Sequence, residues 1–570
     1  MRWNETPIDS IRVDAFSSEL GVHRIVPILL LKIGINTLDE ARAFLDPKLA
    51  QLTCPFDITH MDKAVERLRL AMRTNEPILV FGDYDVDGVT STTVLVSILN
   101  AFGIYPRYTV PLRLNEGYGL SRDAIDRALL EGKPSLLIAV DCGTNSVEEI
   151  HYLKSLGIDV IVLDHHTSKE ALSDQAILVN PHVYDTEDKP WYHLCTAGLV
   201  FKFIHALLKQ LREENDEQAL RIRLKDYMDL VAMGTIADLV PLKGENRILA
   251  STGIKLMQET RRMGLCALFE VAGISLGSSI APFDIAFKLG PRINASGRLA
   301  DASQPIQMLL SEDWNFCLES AKELDQFNRD RQNIERVITE EAESIVERDY
   351  RNAPGIVLFN PEWHSGVVGI VASRISQKYH RPTIILGSEG PMAKGSGRTI
   401  PSVNLVEAMT PCANLLSHWG GHPMAVGVSM ETQNVNAFRT QFCNSIEHMT
   451  GCIMEEPEIM ISAWISLAEI NSQLLDQLEI LAPFGQGNPE PIFGVREALI
   501  SGNPKPFGKN HFRFQISSTQ GNRISGVAWN MGSRIPPAGK PIELALRVSW
   551  NNWNGSRFPQ VTLLDWRSPR

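Results

Sequence analysis

Phe81-Gly82-Asp83-Tyr84-Asp85-Val86-Asp87-Gly88 sets three aspartates at alternate positions directly after the apolar run Ile78-Leu79-Val80. An unbroken apolar run predicts a parallel strand buried on both faces, with the carboxylates in the turn beyond the hydrophobic layer. Three carboxylates within five residues repel one another and lose hydration, so they call for compensating positive charge. Hard divalent cations with oxygen ligands supply it. A solvated acidic turn explains an isolated D-x-D-x-D equally well. The company it keeps decides the reading.

Downstream of this stretch the pattern is that of an open α/β domain. A helix is expected over Val89–Phe102, then a strand at Arg107–Val110 and a helix at Ser121–Leu130. The next strand, Leu136–Val140, ends in Asp141-Cys142-Gly143. After a helix at Val147–Leu156, the strand Val160–Leu163 ends in Asp164-His165-His166. Three successive strands thus deliver acids or histidines at their carboxyl ends, the edge at which open parallel sheets bind ligands. Ordinary surface polars would be spread over both edges. Helices are expected at Ala197–Arg212 and Leu220–Met233, the second running into Ala237-Asp238. Gly290 to Leu299 reads as a Gly/Ser-rich loop whose Arg292 and Arg298 suit phosphate oxygens.

Between Pro305 and Pro354 there is neither Gly nor Pro, and Ser311 can cap a helix from about Glu312 to Asp349. Such a helix spans roughly 57 Å and suits a connector between domains. A second α/β pattern follows: strand Gly355–Phe359, a helix opened by Trp363-His364-Ser365-Gly366, and strand Thr383–Leu386. Lys394-Gly395-Ser396-Gly397-Arg398 and Gly420-Gly421-His422 read as Gly-rich loops that, with His364 and Ser365, form a donor-rich wall for an anion. A helix is expected over Leu467–Leu481, and the remainder alternates apolar and polar residues as in a small β-barrel.

The chain has 570 residues, 44% hydrophobic and 21% charged, a globular composition long enough for three to four domains. Its most apolar stretch, Ile25 to Ile35, is short and contains Lys32, so no membrane span is expected, and the N-terminus shows no signal-peptide pattern. Eight scattered cysteines without a C-x-x-C pair argue for reduced thiols in the cytoplasm and against zinc. The net charge of −12 opposes nucleic-acid binding at face value, but from Arg496 onward there are eleven Lys/Arg against three Asp/Glu. Trp529, Trp550, Trp553 and Trp566 fall in the same region, with Phe507, Phe512 and Phe514. Basic plus aromatic is the composition of a single-strand-binding groove.

Asp83, Asp85, Asp87, Asp141, Asp238 and a histidine are too many ligands for one ion but suit two about 3.5–4 Å apart, which activate water for phosphoryl chemistry. Oxygen-dominated ligation with one nitrogen favours Mn²⁺ or Mg²⁺. No G-x-x-x-x-G-K-[ST] loop is present, and Cys142 beside a carboxylate is a poor nucleophile.

Asp83-Tyr84-Asp85-Val86-Asp87-Gly88, Val140-Asp141-Cys142-Gly143, Asp164-His165-His166 and Ala237-Asp238 resemble, in order, the motifs of the DHH phosphoesterase superfamily. Gly420-Gly421-His422 resembles the glycine-rich motif of its DHHA1 domain. The stretch with Arg292, Asn294 and Arg298, Trp363-His364-Ser365-Gly366, and Ala482 to Pro489 narrow the resemblance to the RecJ-type single-stranded-DNA exonucleases.

This resemblance implies a multidomain α/β chain: an N-terminal helical segment (1–75), a parallel-sheet DHH domain (76–305), a long connecting helix (306–353), a smaller α/β DHHA1 domain (354–457) and a C-terminal OB-fold barrel (458–570). It implies 5′→3′ release of mononucleotides from single-stranded DNA in repair (mismatch repair included) and recombination. Single-strand-binding protein and a helicase are the implied protein partners, with no membrane. By position, Asp83 and Asp85 hold one of two divalent cations, Mn²⁺ or Mg²⁺. Asp87, His165 and Asp238 hold the other, and Asp141 bridges them. His166 faces the scissile phosphate and Asp164 orients the histidines. Arg113, Arg292, Asn294, Arg298, His364, Ser365, Ser396, Arg398, Gly421 and His422 form the substrate-holding set. The alternatives are a DHH-type phosphodiesterase of short oligonucleotides or cyclic dinucleotides, and a non-catalytic DNA-binding scaffold. Both are disfavoured by a basic barrel joined to a complete ligand set.

Overall fold

Five strands pair in parallel in the spatial order Arg107–Thr109, Ile78–Gly82, Leu136–Val140, Asp159–Leu163, Ile177–Val179. The structure, a computed structural model, describes residues 1–112, 116, 119–168, 172–299, 302–451, 456–517, 523–553 and 556–569. Strand side chains alternate between two cores, as a period of two requires. Ile78 and Val80 join one with Ile138 and Ile161, under the helices Met61–Thr74, Val86–Ala101, Thr196–Glu213 and Met228–Ala237. Leu79 and Phe81 join the other with Leu137, Ala139 and Val162, under Arg122–Leu130 and Val147–Ser155. Burial on both faces is why these strands read as unbroken apolar runs. In chain order the sheet runs 2-1-3-4-5, so its direction of winding reverses between Ile78–Gly82 and Leu136–Val140. Open α/β sheets bind their ligands at such a switch point, outside the carboxyl ends of the strands.

The connector is the helix Trp314–Ile345, 32 residues and about 48 Å long, followed by a π-helical turn at Val346–Tyr350. It starts later than expected because Asp313, not Ser311, is its N-cap: the Asp313 carboxylate accepts the Asn315 and Phe316 N–H groups. Ser311 instead accepts the Asp313 N–H. The second sheet runs His418–His422, Ala425–Glu431, Met392–Arg398, Thr383–Glu389, Ile356–Phe359, antiparallel except for its last, parallel pair.

In the third sheet Phe493–Ile500 pairs both with Pro541–Trp553 and, through Leu499 and Ile500, with His511–Ser517, curling the sheet into a barrel. The N-terminal helices do not stand apart from this barrel. Phe16, Val26, Leu30 and Phe44 share its core with Phe493, Phe512 and Leu544, and Arg2–Asn4 pairs with Glu458–Met460. No helix among the described residues is long and apolar enough to cross a membrane.

Several expectations are corrected. Gly290–Leu299 is a helix, not a loop: it continues the helical run that starts at Pro282, with the π-helical turn Ile285–Leu289 directly before it, and packing against Tyr84 and Val86 overrides the low propensity of its glycines. Lys394–Arg398 and Gly420–His422 are paired strands, not loops. The helix expected at Leu220–Met233 divides into Glu217–Arg221, Leu224–Tyr227 and Met228–Ala237. That expected at Leu467–Leu481 is confined to Ser472–Glu479, after a 3₁₀ turn at Leu467–Glu469. Phe512 and Phe514 belong to the barrel core rather than to a surface groove.

Candidate metal centre

Asp85 caps the helix Val86–Ala101, its Oδ1 accepting the Asp87 N–H at 3.0 Å and the Gly88 N–H at 3.2 Å. The helix therefore begins earlier than the sequence suggests, and Asp87 sits in its first turn. Gly88 is required here because a Cβ would overlap the Asp83 main chain. The buried Asp87 carboxylate accepts the Thr196 N–H (2.7 Å) and the Ala197 N–H (2.8 Å) at the start of the helix Thr196–Glu213. Burial, reinforced by the charge of Asp238, still pushes the Asp87 carboxyl up to about 7.

Asp141 follows its strand with φ 66°, a left-handed backbone that a non-glycine residue holds only when its surroundings impose it. Its N–H is bonded to the Leu163 carbonyl at 3.0 Å, and its Oδ1 accepts the Thr196 hydroxyl at 3.0 Å. Burial and the neighbouring Asp87 hold its carboxyl well above the usual range. Asp238 ends the helix Met228–Ala237, and burial together with Asp85 raises it to about 8.

His165 Nε2 lies 3.4 Å from Asp238 Oδ2, 3.5 Å from Asp141 Oδ1 and 3.9 Å from Asp87 Oδ2. Burial and the adjacent His166 lower its pKa, leaving the neutral imidazole that ligates metals. Both His165 Nε2 and Asp238 Oδ2 are buried without a hydrogen-bond partner. Two orphaned atoms facing each other are what a cation between them would satisfy. Ligand atoms within 4.8 Å of one another form three groups: Asp83, Asp85 and Asp141; Asp87, His165 and Asp238; Asp141, His165 and His166. The set fits two divalent cations sharing Asp141.

Asp164 is buried beneath the histidines and accepts the Thr144 N–H (3.0 Å), the His165 N–H (2.8 Å), the His166 N–H (3.2 Å) and His166 Nδ1 (2.7 Å). Burial alone would raise this carboxyl, but the charge of His166 and these bonds hold it far below the usual range. Conversely Asp164 pushes the half-exposed His166 up to about 10. Cys142 is inert, its thiol driven up by burial and by Asp83.

Sequence reasoning missed the supports. Asn180 Nδ2 donates to the Thr144 hydroxyl and the His166 carbonyl, both at 2.8 Å, and His182 Nδ1 bonds the His165 carbonyl. No spacing marks Thr144, Asn180 or His182. The Thr196-Ala197-Gly198 helix start is a readable signal, because an unsatisfied helix N-terminus invites a carboxylate.

The substrate-holding set divides. Arg113 lies outside the described residues, as does the ring of Trp553. Arg292 is committed to Asp325 at 2.8 Å and to the Lys288 carbonyl at 2.6 Å. Asn294 Oδ1 accepts the Val86 N–H at 3.1 Å. Arg298 Nη1 donates to the Gly366 carbonyl at 2.8 Å, joining the first domain to the turn that carries His364 and Ser365. Ser365 Oγ donates to Glu389. Ser396 and Arg398 lie beside Gly369 at the start of the helix Val368–Tyr379, and Arg398 and His422 both pair with Ala425, bringing these residues to one end of the second sheet.

Family models match in the order of the three sheets: the DHH family N-terminal domain over residues 77–235, the DHHA1 domain over 352–447 and the RecJ OB domain over 461–565. A 2-1-3-4-5 parallel sheet with an acid–histidine cluster at its switch point is here a DHH phosphoesterase core, extended by DHHA1 and OB domains. The single-stranded-DNA-specific exonuclease RecJ of Bacillus subtilis is 35% identical over 99% of this chain and 70% of its own length. That of Escherichia coli is 34% identical over 89% of this chain and 90% of its own. The crystal structure of RecJ with Mn²⁺ from Thermus thermophilus superposes with a TM-score of 0.85 at 28% identity, over all of this chain and 80% of that one. The chain belongs to the RecJ family of single-stranded-DNA-specific exonucleases.

Proposed function

We propose that the chain degrades single-stranded DNA from the 5′ end, releasing 5′-mononucleotides by two-metal-ion hydrolysis. The observation that carries this reading is the facing pair of orphaned atoms, His165 Nε2 and Asp238 Oδ2, inside a ring of carboxylates. Asp83 and Asp85 would hold one cation, Asp87, His165 and Asp238 the other, with Asp141 available to both. When bound, Mn²⁺ or Mg²⁺ supplies an activated water and stabilises the charge developing on the phosphoryl oxygens. His166, kept protonated by Asp164, presents its Nε2–H to a non-bridging oxygen of the scissile phosphate. Across the crevice, Ser396, Arg398 and His422 hold the flanking phosphate.

On the barrel, Trp529 is 53% exposed and packs edge-on against Phe507 and His511, with ring centroids 5.4 and 5.1 Å away. Arg513 lies over Phe507 at 5.0 Å, and Arg557 over Trp550 at 4.5 Å. Guanidinium groups over rings form a surface for successive bases and phosphates, and a local basic surface lets an acidic chain bind DNA. A role in repair and recombination beside single-strand-binding protein and a helicase extends the same reading. The free thiols of the seven described cysteines support a cytoplasmic location.

The test is digestion, with Mn²⁺, of a single strand of about 30 nucleotides labelled at either end, comparing wild type with Asp141→Ala. Immediate release of a 5′-labelled mononucleotide, with gradual shortening of the 3′-labelled strand and no cleavage by the variant, is expected. Survival of the long strand while dinucleotides are hydrolysed would move the substrate to short oligonucleotides. Binding without cleavage of either would overturn the enzyme reading.

A further inference from the structure

We propose that Asn294 is a positioning residue of the metal loop rather than a DNA contact, and that its helix, Gly290–Leu299, locks that loop against the second domain. This rests on the two-metal reading above. The first-turn donors of the helix Val86–Ala101 are shared between two side chains. Asp85 takes the Asp87 and Gly88 N–H groups, and Asn294 Oδ1, from a different helix, takes the Val86 N–H at 3.1 Å. A helix start in need of an acceptor draws on the nearest one. Without Asn294 that acceptor is Asp85, whose carboxylate is needed for the cation. Asn294 thus spares a ligand oxygen.

The rest of the helix holds the same loop. Gly297 faces the Tyr84 ring, between Asp83 and Asp85, so closely that a Cβ would stand 2.6 Å from Tyr84 Cδ2. At the helix start a Cβ on Gly290 would stand 3.6 Å from Val86 Cγ2 and 3.7 Å from Ala237 Cβ, the residue before Asp238. One helix therefore abuts both segments that deliver ligands. Its other side chains anchor it outward, Arg292 to Asp325 of the connector at 2.8 Å and Arg298 to the Gly366 carbonyl of the second domain at 2.8 Å. Asn294, Gly297 and Arg298, at i, i+3 and i+4, share one face of the helix. The position of the second domain is thereby tied to the geometry of the Asp83–Asp87 turn.

The experiment compares wild type with Asn294→Leu, which keeps the shape and loses the acceptor, and Asn294→Asp, which keeps an acceptor oxygen. Mn²⁺ binding is measured by calorimetry without DNA, labelled oligothymidylate binding by anisotropy in EDTA, and cleavage as a function of Mn²⁺ concentration. Loss of one hydrogen bond that frees a competing ligand predicts Mn²⁺ affinity roughly five- to tenfold weaker in Asn294→Leu. The Mn²⁺ needed for half-maximal cleavage should rise by the same factor, most of the kcat should return at saturating Mn²⁺, and oligonucleotide affinity in EDTA should be unchanged. Asn294→Asp should bind Mn²⁺ within about twofold of wild type. Wild-type Mn²⁺ affinity in Asn294→Leu, with weakened oligonucleotide binding in EDTA, would make Asn294 a DNA contact and overturn the inference. Should Asn294→Leu fail to fold, Asn294→Ala, which also removes the acceptor, is read in the same assays with the same two outcomes. An Asp141→Ala protein that still bound two Mn²⁺ would overturn the metal centre itself, and this inference with it.

Discussion

At the scale of the residue, the site is a conflict between burial and charge that a cation resolves. Asp87, Asp141 and Asp238 are raised by burial, and Asp87 and Asp238 reach about 7 and 8. A carboxyl with a raised folded-state pKa contributes stability below its unfolded value and loses it as pH rises through the folded one. His166, raised to about 10, acts in the same direction above its unfolded value. Metal-free protein should therefore melt at progressively lower temperature from about pH 5 to pH 8.5, and saturating Mn²⁺ should flatten the slope. A calorimetric series at fixed ionic strength checks this; a chelated protein whose Tm is flat or rising over that range would contradict it. Asp164 makes the complementary case. It lies outside the three candidate ligand groups and yet organises Thr144, His165 and His166. Asp164→Asn should lower kcat about 10- to 100-fold with little change in oligonucleotide affinity. It should also lower the pKa of His166, visible by NMR as an imidazole titrating nearer neutrality. The acids and histidines of the cluster were legible because each follows an apolar strand or helix and carries an unusual charge for such a place. Their supports were not, because Thr144, Asn180 and His182 act through hydrogen bonds to distant segments that leave no periodic trace.

At the scale of the element, apolar runs announced four strands of the first sheet and two of the second, Ile356–Phe359 and Thr383–Glu389, whereas glycine-rich segments misled. Gly395 and Gly421 read as loop residues, but each sits on a strand where another backbone comes too close for a side chain. A Cβ on Gly395 would overlap the Ile385 carbonyl oxygen, and one on Gly421 the Ala425 carbonyl oxygen. Glycine in a strand marks close backbone approach as readily as a turn, and sequence alone does not separate the two. The helix Gly290–Leu299 was hidden for a related reason, since its glycines serve contacts with Tyr84 and Val86 rather than flexibility. Gly395→Ala should accordingly force the Met392–Arg398 and Thr383–Glu389 strands apart and destabilise the second domain by about 1–3 kcal/mol. Urea unfolding followed by hydrogen exchange of peptides from residues 383–398, read by mass spectrometry, measures it. An unchanged midpoint would show that the strand pair yields at no cost.

At the scale of the molecule, three sheets must be held in one arrangement if a strand gripped by the barrel is to reach the metal centre. The interfaces that do so were the least legible part of the sequence, because they join segments hundreds of residues apart. Arg247 is the clearest instance. It is 2% exposed on the helix Gly244–Met257, and its guanidinium donates to the carbonyls of Phe44 (2.7 Å), Leu481 (3.1 Å) and Ala482 (3.0 Å). It also stacks 3.5 Å over the Phe44 ring. Phe44 and Leu481 belong to the shared core of the N-terminal helices and barrel, so one side chain of the first domain fastens both. Burial lowers the guanidinium to about 9, a cost that only a full set of acceptors offsets. Arg247→Met fills the space but takes this donor from the Phe44 and Ala482 carbonyls, at about 1–3 kcal/mol each, while the Leu481 carbonyl keeps the Asn488 Nδ2 donor at 2.8 Å. Arg247→Lys keeps the charge but not the planar fork. Both variants should split a single calorimetric transition into two, the helical–barrel unit melting before the DHH core. They should also lose cleavage of long strands while retaining that of dinucleotides, which are too short to reach the barrel. A variant that melts in one unshifted step, or loses both substrates equally, would show that the barrel is held by its apolar contacts and that Arg247 is dispensable.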